Sequence, residues 1–467
     1  MTRARLSRRG FLGASAALGA GIIGASSGAA LALGRGLALR PPGSLPDPRR
    51  AAGTDLLPRV KRIVVVTMEN HSYDNYLGTL QRGDGLAIGP DGTPRDANPD
   101  GEGNLIRAFH MPSSCQLERS PSQSWDASHI ALGSGPDGNR GFVLASGPVA
   151  MGYFTVEDIP FYHGLARTFP LCDRFFCSVL AQTYPNRRFL LAGSASGIIS
   201  TTTAALTAPE PPNGSILERM NDFGISWKNY HTDLPGVGVL LDTASRNRDH
   251  LVSIDDFFTD AASGDLPDVS YVDPGFDDGE SEENDANVQQ GELFVSRVVN
   301  AVLQSPAWPD TLLVWTYDEH GGYYDHVRPP RAPVPDDVPP GIEGAPHVQP
   351  GGYDRLGFRV PAVIVSPYAR RDYVSHVTHD LTSVLKLIET KWNLPALTWR
   401  DANASDLLDC VDFDAPPAFL DPPELPEPGA IASPSGCTPG DPGVIPPPDA
   451  VLPDRRAPRR RLPVGLG

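Results

Sequence analysis

Two kinds of hydrophobic pattern alternate along the chain. Short, unbroken apolar runs recur at Ile63-Val64-Val65-Val66, Leu312-Leu313-Val314-Trp315 and Ala362-Val363-Ile364-Val365. Runs of this length, rich in β-branched residues and flanked by polar ones, predict strands buried on both faces. Ile225 to His231 reads as a further strand that ends in a histidine. Helical spacing appears elsewhere. Leu293, Val295, Val298, Val299 and Val302 make Gln289 to Gln304 an amphipathic helix, and Leu381, Val384, Leu385 and Ile388 follow an i, i+3, i+4, i+7 spacing. A shorter helix is expected from Phe189 to about Gly193, with Thr183 near its N-cap and Pro185 in its first turn. Strands alternating with helices predict an α/β domain built on a mainly parallel central sheet flanked by helices.

Two of the apolar runs end alike. The first runs into Thr67-Met68-Glu69-Asn70-His71, the second into Thr316-Tyr317-Asp318-Glu319-His320-Gly321-Gly322 and then Tyr323-Tyr324-Asp325-His326. Open α/β sheets bind ligands at the C-terminal ends of their strands. Acids, an amide and histidines delivered to that edge are metal ligands or acid–base groups in one reading, and a charged loop after a strand in the other. The paired glycines favour the first, because glycine permits a tight turn or a close backbone approach. Thr183 also has two readings. A hydroxyl at a helix start lies beside unpaired N–H groups and the positive end of the helix dipole, a place that favours phosphate; it is equally where an ordinary capping threonine sits. His129, standing alone, reads as structural, and the acidic run from Asp277 to Asp285 as a solvated loop.

Charge and composition narrow the partners. The chain has 467 residues and a formal charge of -17. That balance argues against nucleic-acid binding and against simple adhesion to anionic lipid. Residues 1–33 read as an export signal: Ser7-Arg8-Arg9-Gly10-Phe11-Leu12 resembles the twin-arginine motif, and Ala30-Leu31-Ala32 offers a cleavage site. Its many Gly and Ala make it a weak membrane span, so no stable transmembrane segment is expected in the mature chain. Residues 34–58 read as a Pro/Arg/Gly-rich linker, 59–412 as the catalytic domain and 413–467 as a Pro-rich, disordered tail with a basic end. Five cysteines are present, and the sequence offers Cys172 with Cys177 and Cys410 with Cys437 as pairs. There is no G-x-S-x-G elbow and no H-E-x-x-H.

Taken together, Met68-Glu69-Asn70-His71-Ser72-Tyr73-Asp74-Asn75-Tyr76-Leu77-Gly78 and Tyr317-Asp318-Glu319-His320-Gly321-Gly322-Tyr323-Tyr324-Asp325-His326-Val327 resemble the two hallmark blocks of the bacterial phosphoesterase family. Met151-Gly152-Tyr153-Phe154, Cys172-Asp173-Arg174-Phe175, Pro185-Asn186-Arg187 and Thr382-Ser383-Val384-Leu385 support it, and the likeness covers roughly residues 60 to 412. The resemblance implies a core like that of alkaline phosphatases and sulfatases. It implies a divalent cation held by Glu69, Asn70, Asp318 and Glu319, with Mg, Ca or Mn suited to such oxygen ligands. It implies Thr183 as nucleophile, with a phosphothreonine intermediate, and His320 and His326, with His231 behind them, for phosphate contact or proton transfer. The implied substrate is a phospholipid cleaved in the manner of a phospholipase C, or else a phosphate monoester as for an acid phosphatase. The chain departs from the family where Gln123 stands before Ser124-Trp125, and at Glu282-Glu283-Asn284 and Leu381-Thr382-Ser383, where relatives carry histidines. Those departures leave a third reading, a phospho-ligand-binding protein without turnover.

Overall fold

The computed structural model describes residues 39–115, 121–134, 138–277, 279–283, 286–431 and 445–456. The export signal at 1–33 and Cys437 lie outside them. Among the described residues no helix is long and apolar enough to cross a membrane.

One eight-stranded sheet organises the chain. In chain order its strands are β1 (Arg62–Met68), β2 (Leu171–Cys172), β3 (Trp227–His231), β4 (Leu251–Ser253), β5 (Val269–Asp273), β6 (Thr311–Tyr317), β7 (Ala362–Val365) and β8 (Val374–Ser375). Across the sheet they run β8-β2-β7-β6-β1-β5-β3-β4. All point one way except β7, which is antiparallel to both neighbours. The α/β reading with a mainly parallel sheet is therefore correct. The apolar runs are where they are because β1 and β6 sit mid-sheet under helices on both faces. Ile63 to Val66 and Leu312 to Trp315 are all buried. Of the strands not expected from the sequence, β2, β4, β5 and β8, β5 is the one beside β1. Ser270 interrupts its apolar run, yet it pairs with β1.

The covering helices include α1 (Thr183–Ala192), α2 (Val288–Gln304) and α3 (Leu381–Trp392). α2 buries Val295, Val298, Val299 and Val302 as the periodicity predicts, but turns Leu293 outward and Phe294 inward. α1 starts six residues earlier than Phe189, with Gln182 as its N-cap. Pro185 does not delay it, because the first N–H groups of a helix have no intrahelical partner to lose.

Residues 39–58 carry no helix or strand, but they are bound to the end of α3. Asn393 ends that helix in the left-handed conformation, at φ 48°. Its amide donates to the carbonyls of Asp47, Arg50 and Ala51 and accepts from Asp47 N–H at 2.8 Å. Leu56 N–H reaches Lys391 O, and Gly43 N–H reaches Ala396 O. At the other end of the chain, Val451–Pro453 pairs antiparallel with Asn104–Arg107. The expected cysteine pairs do not form: among the described residues Cys172, Cys177 and Cys410 are free thiols and Cys115 is disulfide-bonded.

Asn393→Ala is expected to lower unfolding stability by about 1–3 kcal/mol, since it takes the shared donor from three carbonyls at once. Limited proteolysis should then cut within residues 39–58 faster than in the unsubstituted protein.

Candidate active site

The parallel register builds the site. β1 and β6 pair from Arg62↔Thr311 to Met68↔Tyr317, so Glu69 and Asp318 leave the sheet side by side. Asp318 N–H is still bonded to Met68 O at 3.0 Å. β5 flanks β1 on the other side and ends in Asp273, which pairs with His231 at the end of β3. Acids from distant parts of the sequence thus reach one edge.

Arg187 gathers them. Its Nε donates to Asp318 Oδ2 at 3.0 Å and its Nη1 to Asp273 Oδ1 at 2.9 Å; its Nη2 lies 3.4 Å from Thr67 O and 3.8 Å from Glu69 Oε1. The guanidinium is buried, and burial alone would ease its proton off. Asp318, Asp273 and Glu69 outweigh that and hold it charged. Asp273 is itself fixed by Asn229 Nδ2 at 2.6 Å and Gly236 N–H at 2.7 Å. The sequence reading quoted Arg187 without giving it a role and missed Asp273. The signal for Asp273 is weaker than at the other two strands, because Ser270 interrupts the run of Val269, Tyr271 and Val272 that leads to the acid.

The Pro185-Asn186-Arg187 stretch now has a physical account. Asn186 Oδ1 accepts from Ser178 and Val179 N–H at 2.9 and 3.1 Å, and its Nδ2 donates to Ala181 O at 2.9 Å. That amide fixes the loop that delivers Thr183 to the first position of α1. Thr183 is buried and stands four residues before Arg187. Residues so spaced share one helix face, with Cβ atoms about 5–6 Å apart. Thr183 therefore lies one helical turn before the residue whose guanidinium binds the strand-end acids.

Asn70 and Gly321 meet at the mouth of β1 and β6. Asn70 sits at φ 70° and Gly321 at φ 65°, and a Cβ on Gly321 would drive into the carbonyl oxygen of Asn70. Asn70 N–H points toward Asp318 Oδ1 at 3.4 Å. Glu319 Oε2 accepts from Gly321 N–H at 2.8 Å. Around these bonds several buried atoms have no partner: Glu69 Oε2, Asn70 Oδ1 and Nδ2, and Glu319 Oε1. Burial, and after it the nearby Asp318, push the Glu69 and Glu319 carboxyls well above the usual range. Unpartnered, desolvated oxygen ligands at a strand edge fit a hard cation. Among the described residues no three His, Cys, Asp or Glu side chains are grouped as a ready cage. Asp318 has one oxygen committed to Arg187, and the set that fits is two glutamates joined by an amide.

The two histidines are not together. His320 is buried against Phe358 and Phe142, with ring centroids at 4.7 and 6.1 Å. Its Nδ1 lies 3.1 Å from Glu319 Oε2, without hydrogen-bond geometry. Burial lowers it to about 3, so the imidazole is neutral. His326 belongs to a second ionic cluster. Its Nδ1 is 2.7 Å from Asp74 Oδ2 and its Nε2 3.3 Å from Asp84 Oδ1, while Arg359 bridges Asp74 and Asp325. His231 is partly buried at the end of β3, beside Asp273. His129 bonds Trp125 O at 2.7 Å within its own helix, the structural role expected.

Within the acidic run, the described residues 279–283 are not merely solvated. Glu282 is fully buried and accepts from the hydroxyls of Tyr76, Tyr162 and Tyr317. Burial raises it to about 8 against those bonds. The neighbouring Ser281 O accepts Glu69 N–H at 3.1 Å, and Glu282 O bonds His71 Nε2 at 3.1 Å. The loop is thus an anchored roof over Glu69.

The chain is similar to known proteins over most of its length. The phosphoesterase family model matches residues 60–395. Phospholipase C B of Mycobacterium tuberculosis (strain ATCC 25618 / H37Rv) is 30% identical, over 87% of this chain and 90% of its own length. Non-specific phospholipase C1 of Arabidopsis thaliana is 31% identical, over 73% and 69%. A solved alkaline phosphatase superfamily protein from Vibrio parahaemolyticus overlaps 70% of this chain and 76% of its own at 11% identity; its TM-score of 0.34 is too loose to argue from.

Stability is expected to fall as pH rises from about 4.5 to 9. Burial opposes charge on His326, but Asp74 prevails and raises it from 6.5 to about 9. Glu282 rises from 4.5 to about 8. Both groups bind protons more tightly folded than unfolded, so each contribution is complete below the unfolded value and lost as pH passes the folded one. Melting temperature measured against pH should show this descent, and His326→Gln should flatten it between about pH 7 and 9.

Proposed function

The chain belongs to the phosphoesterase family and is a phosphoric ester hydrolase, and from that premise we propose that it is an exported, metal-dependent enzyme of the phospholipase C type with Thr183 as nucleophile. The observation that carries this reading is Thr183 one helical turn before Arg187, itself bound to the acids of two strand ends. The phospholipase C relatives, alike over most of their length, support the substrate class. Charge supports it too. A phosphate monoester carries close to two negative charges near neutral pH, whereas a diester carries one. A site where Glu69, Asp273 and Asp318 surround a single guanidinium accommodates the diester better.

Glu69, Asn70 and Glu319 would hold the cation, beside Asp318, which Arg187 keeps in place. When bound it would neutralise phosphate oxygens and ease a proton off a nearby hydroxyl. The chain's own groups do the rest. Thr183 Oγ1 attacks phosphorus, the bond to the glycerol oxygen breaks, and diacylglycerol leaves after taking up a proton. The head-group phosphate remains esterified to Thr183 until water replaces the threonine oxygen and releases it. Arg187 keeps Asp318 and Asp273 in place and holds positive charge beside the reacting phosphoryl group. His231, at the strand edge beside Asp273, is better placed to move that proton than His320, which is enclosed by phenylalanines.

Thr183→Ala should reduce turnover of phosphatidylcholine and of p-nitrophenyl phosphorylcholine by at least about a thousandfold, the scale on which a lost nucleophile is felt. Chelation should abolish activity in the unsubstituted enzyme, with recovery on adding Mg, Ca or Mn. Turnover unaffected by Thr183→Ala would refute the assignment. No turnover with any of the three ions would favour a ligand-binding role, and faster turnover of monoesters a phosphatase. Arg8→Lys with Arg9→Lys should retain the protein in the cytoplasm, checked by fractionating the producing cells.

A further inference from the structure

Outside the site, the described residues contain one close pair of thiols. Cys172 ends β2 and Cys410 ends the 3-10 turn Leu408–Cys410; both are 0% exposed, and their Sγ atoms lie 3.6 Å apart. Hydrogen bonding explains the placement. Across the sheet Cys172 pairs in register with Ser375 of β8. Ser375 Oγ donates to Asp409, which also takes Tyr373 Oη at 3.2 Å and contacts His379 Nε2 at 3.1 Å. Asp409 is so fixed over the strand, and the next residue sets its sulfur above that of Cys172. From the other side Arg370 N–H donates to Cys410 O at 2.9 Å. Cys177 takes no part; its Sγ is directed at Val179 O.

We propose that Cys172 and Cys410 are joined by a disulfide in the mature protein. Closure needs the sulfurs to approach by about 1.5 Å, to the usual bond length of roughly 2.05 Å. Two S–H bonds break and one S–S bond forms. The two electrons and two protons pass to the disulfide of a thiol oxidoreductase, which leaves as a dithiol. The closed fold shields both sulfurs, so the exchange takes place after export, when the segment carrying Cys410 opens locally. The setting is consistent, because Cys115 is already disulfide-bonded and such bonds persist in oxidising compartments. The bond would tie the end of the catalytic domain to the sheet next to β7, the reversed strand, and would constrain the unfolded chain across a span of 238 residues.

The test uses the full-length protein recovered from an oxidising compartment, denatured and alkylated without reduction. Of the three cysteines free in the structure, only Cys177 should take up label, and peptide mapping should recover Cys172 and Cys410 in one linked species, lighter by two hydrogens than the sum. Cys410→Ser should expose Cys172 to alkylation. Cys172→Ser, Cys410→Ser and the double substitution should share one lowered melting temperature, because each removes the same bond. Labelling of both Cys172 and Cys410 in the unsubstituted protein, or losses that add in the double substitution, would overturn the proposal.

Discussion

A buried guanidinium holds the acidic edge of this protein together. Glu69, Asp273 and Asp318 come from three parallel strands and would repel one another in a desolvated pocket. Arg187 binds Asp273 and Asp318 directly and lies close to Glu69. Ion pairs of this kind contribute little net stability compared with apolar packing, but losing one partner leaves buried charge behind. The arrangement therefore fixes geometry more than it adds stability. It also ties α1 to the sheet, and so fixes where Thr183 can be.

The sheet and the loops share the work of positioning. Parallel register carries Glu69 and Asp318 to adjacent places without any help from the loops. The residues just beyond those two acids need special backbone. Asn70 and Gly321 both occupy the left-handed region, and the contact between them leaves no room for a side chain on Gly321. Strain of this sort is retained where a site requires it. Above them the Glu282 roof uses the opposite device, a carboxyl surrounded by tyrosine hydroxyls.

Much of this is legible in the sequence, and the unreadable parts share a cause. The apolar runs at 63–66, 312–315 and 362–365 are strands because uninterrupted β-branched sequence has few other uses in a soluble fold. The acids that follow the first two are equally plain. Asp273 is hidden because a serine breaks the run before it, and a buried serine in a central strand does not look apolar. Glu282 reads as solvated because nothing local shows that three tyrosines from distant segments will converge on it. The histidines are the least readable. His320 and His326 are six residues apart, yet one is enclosed by phenylalanines and the other held between aspartates. Spacing cannot say which neighbours tertiary packing will bring.

The pairing of Val451–Pro453 with Asn104–Arg107 bears on where the protein can be cut. Composition suggests an end near residue 412, and everything beyond looks expendable. Removing it would uncover the hydrogen-bonding groups of an edge strand that another copy could use. A shortened protein would also lose Phe419 and Ala450 from the core, so poor solubility in such a fragment would reflect an uncovered strand together with a damaged core.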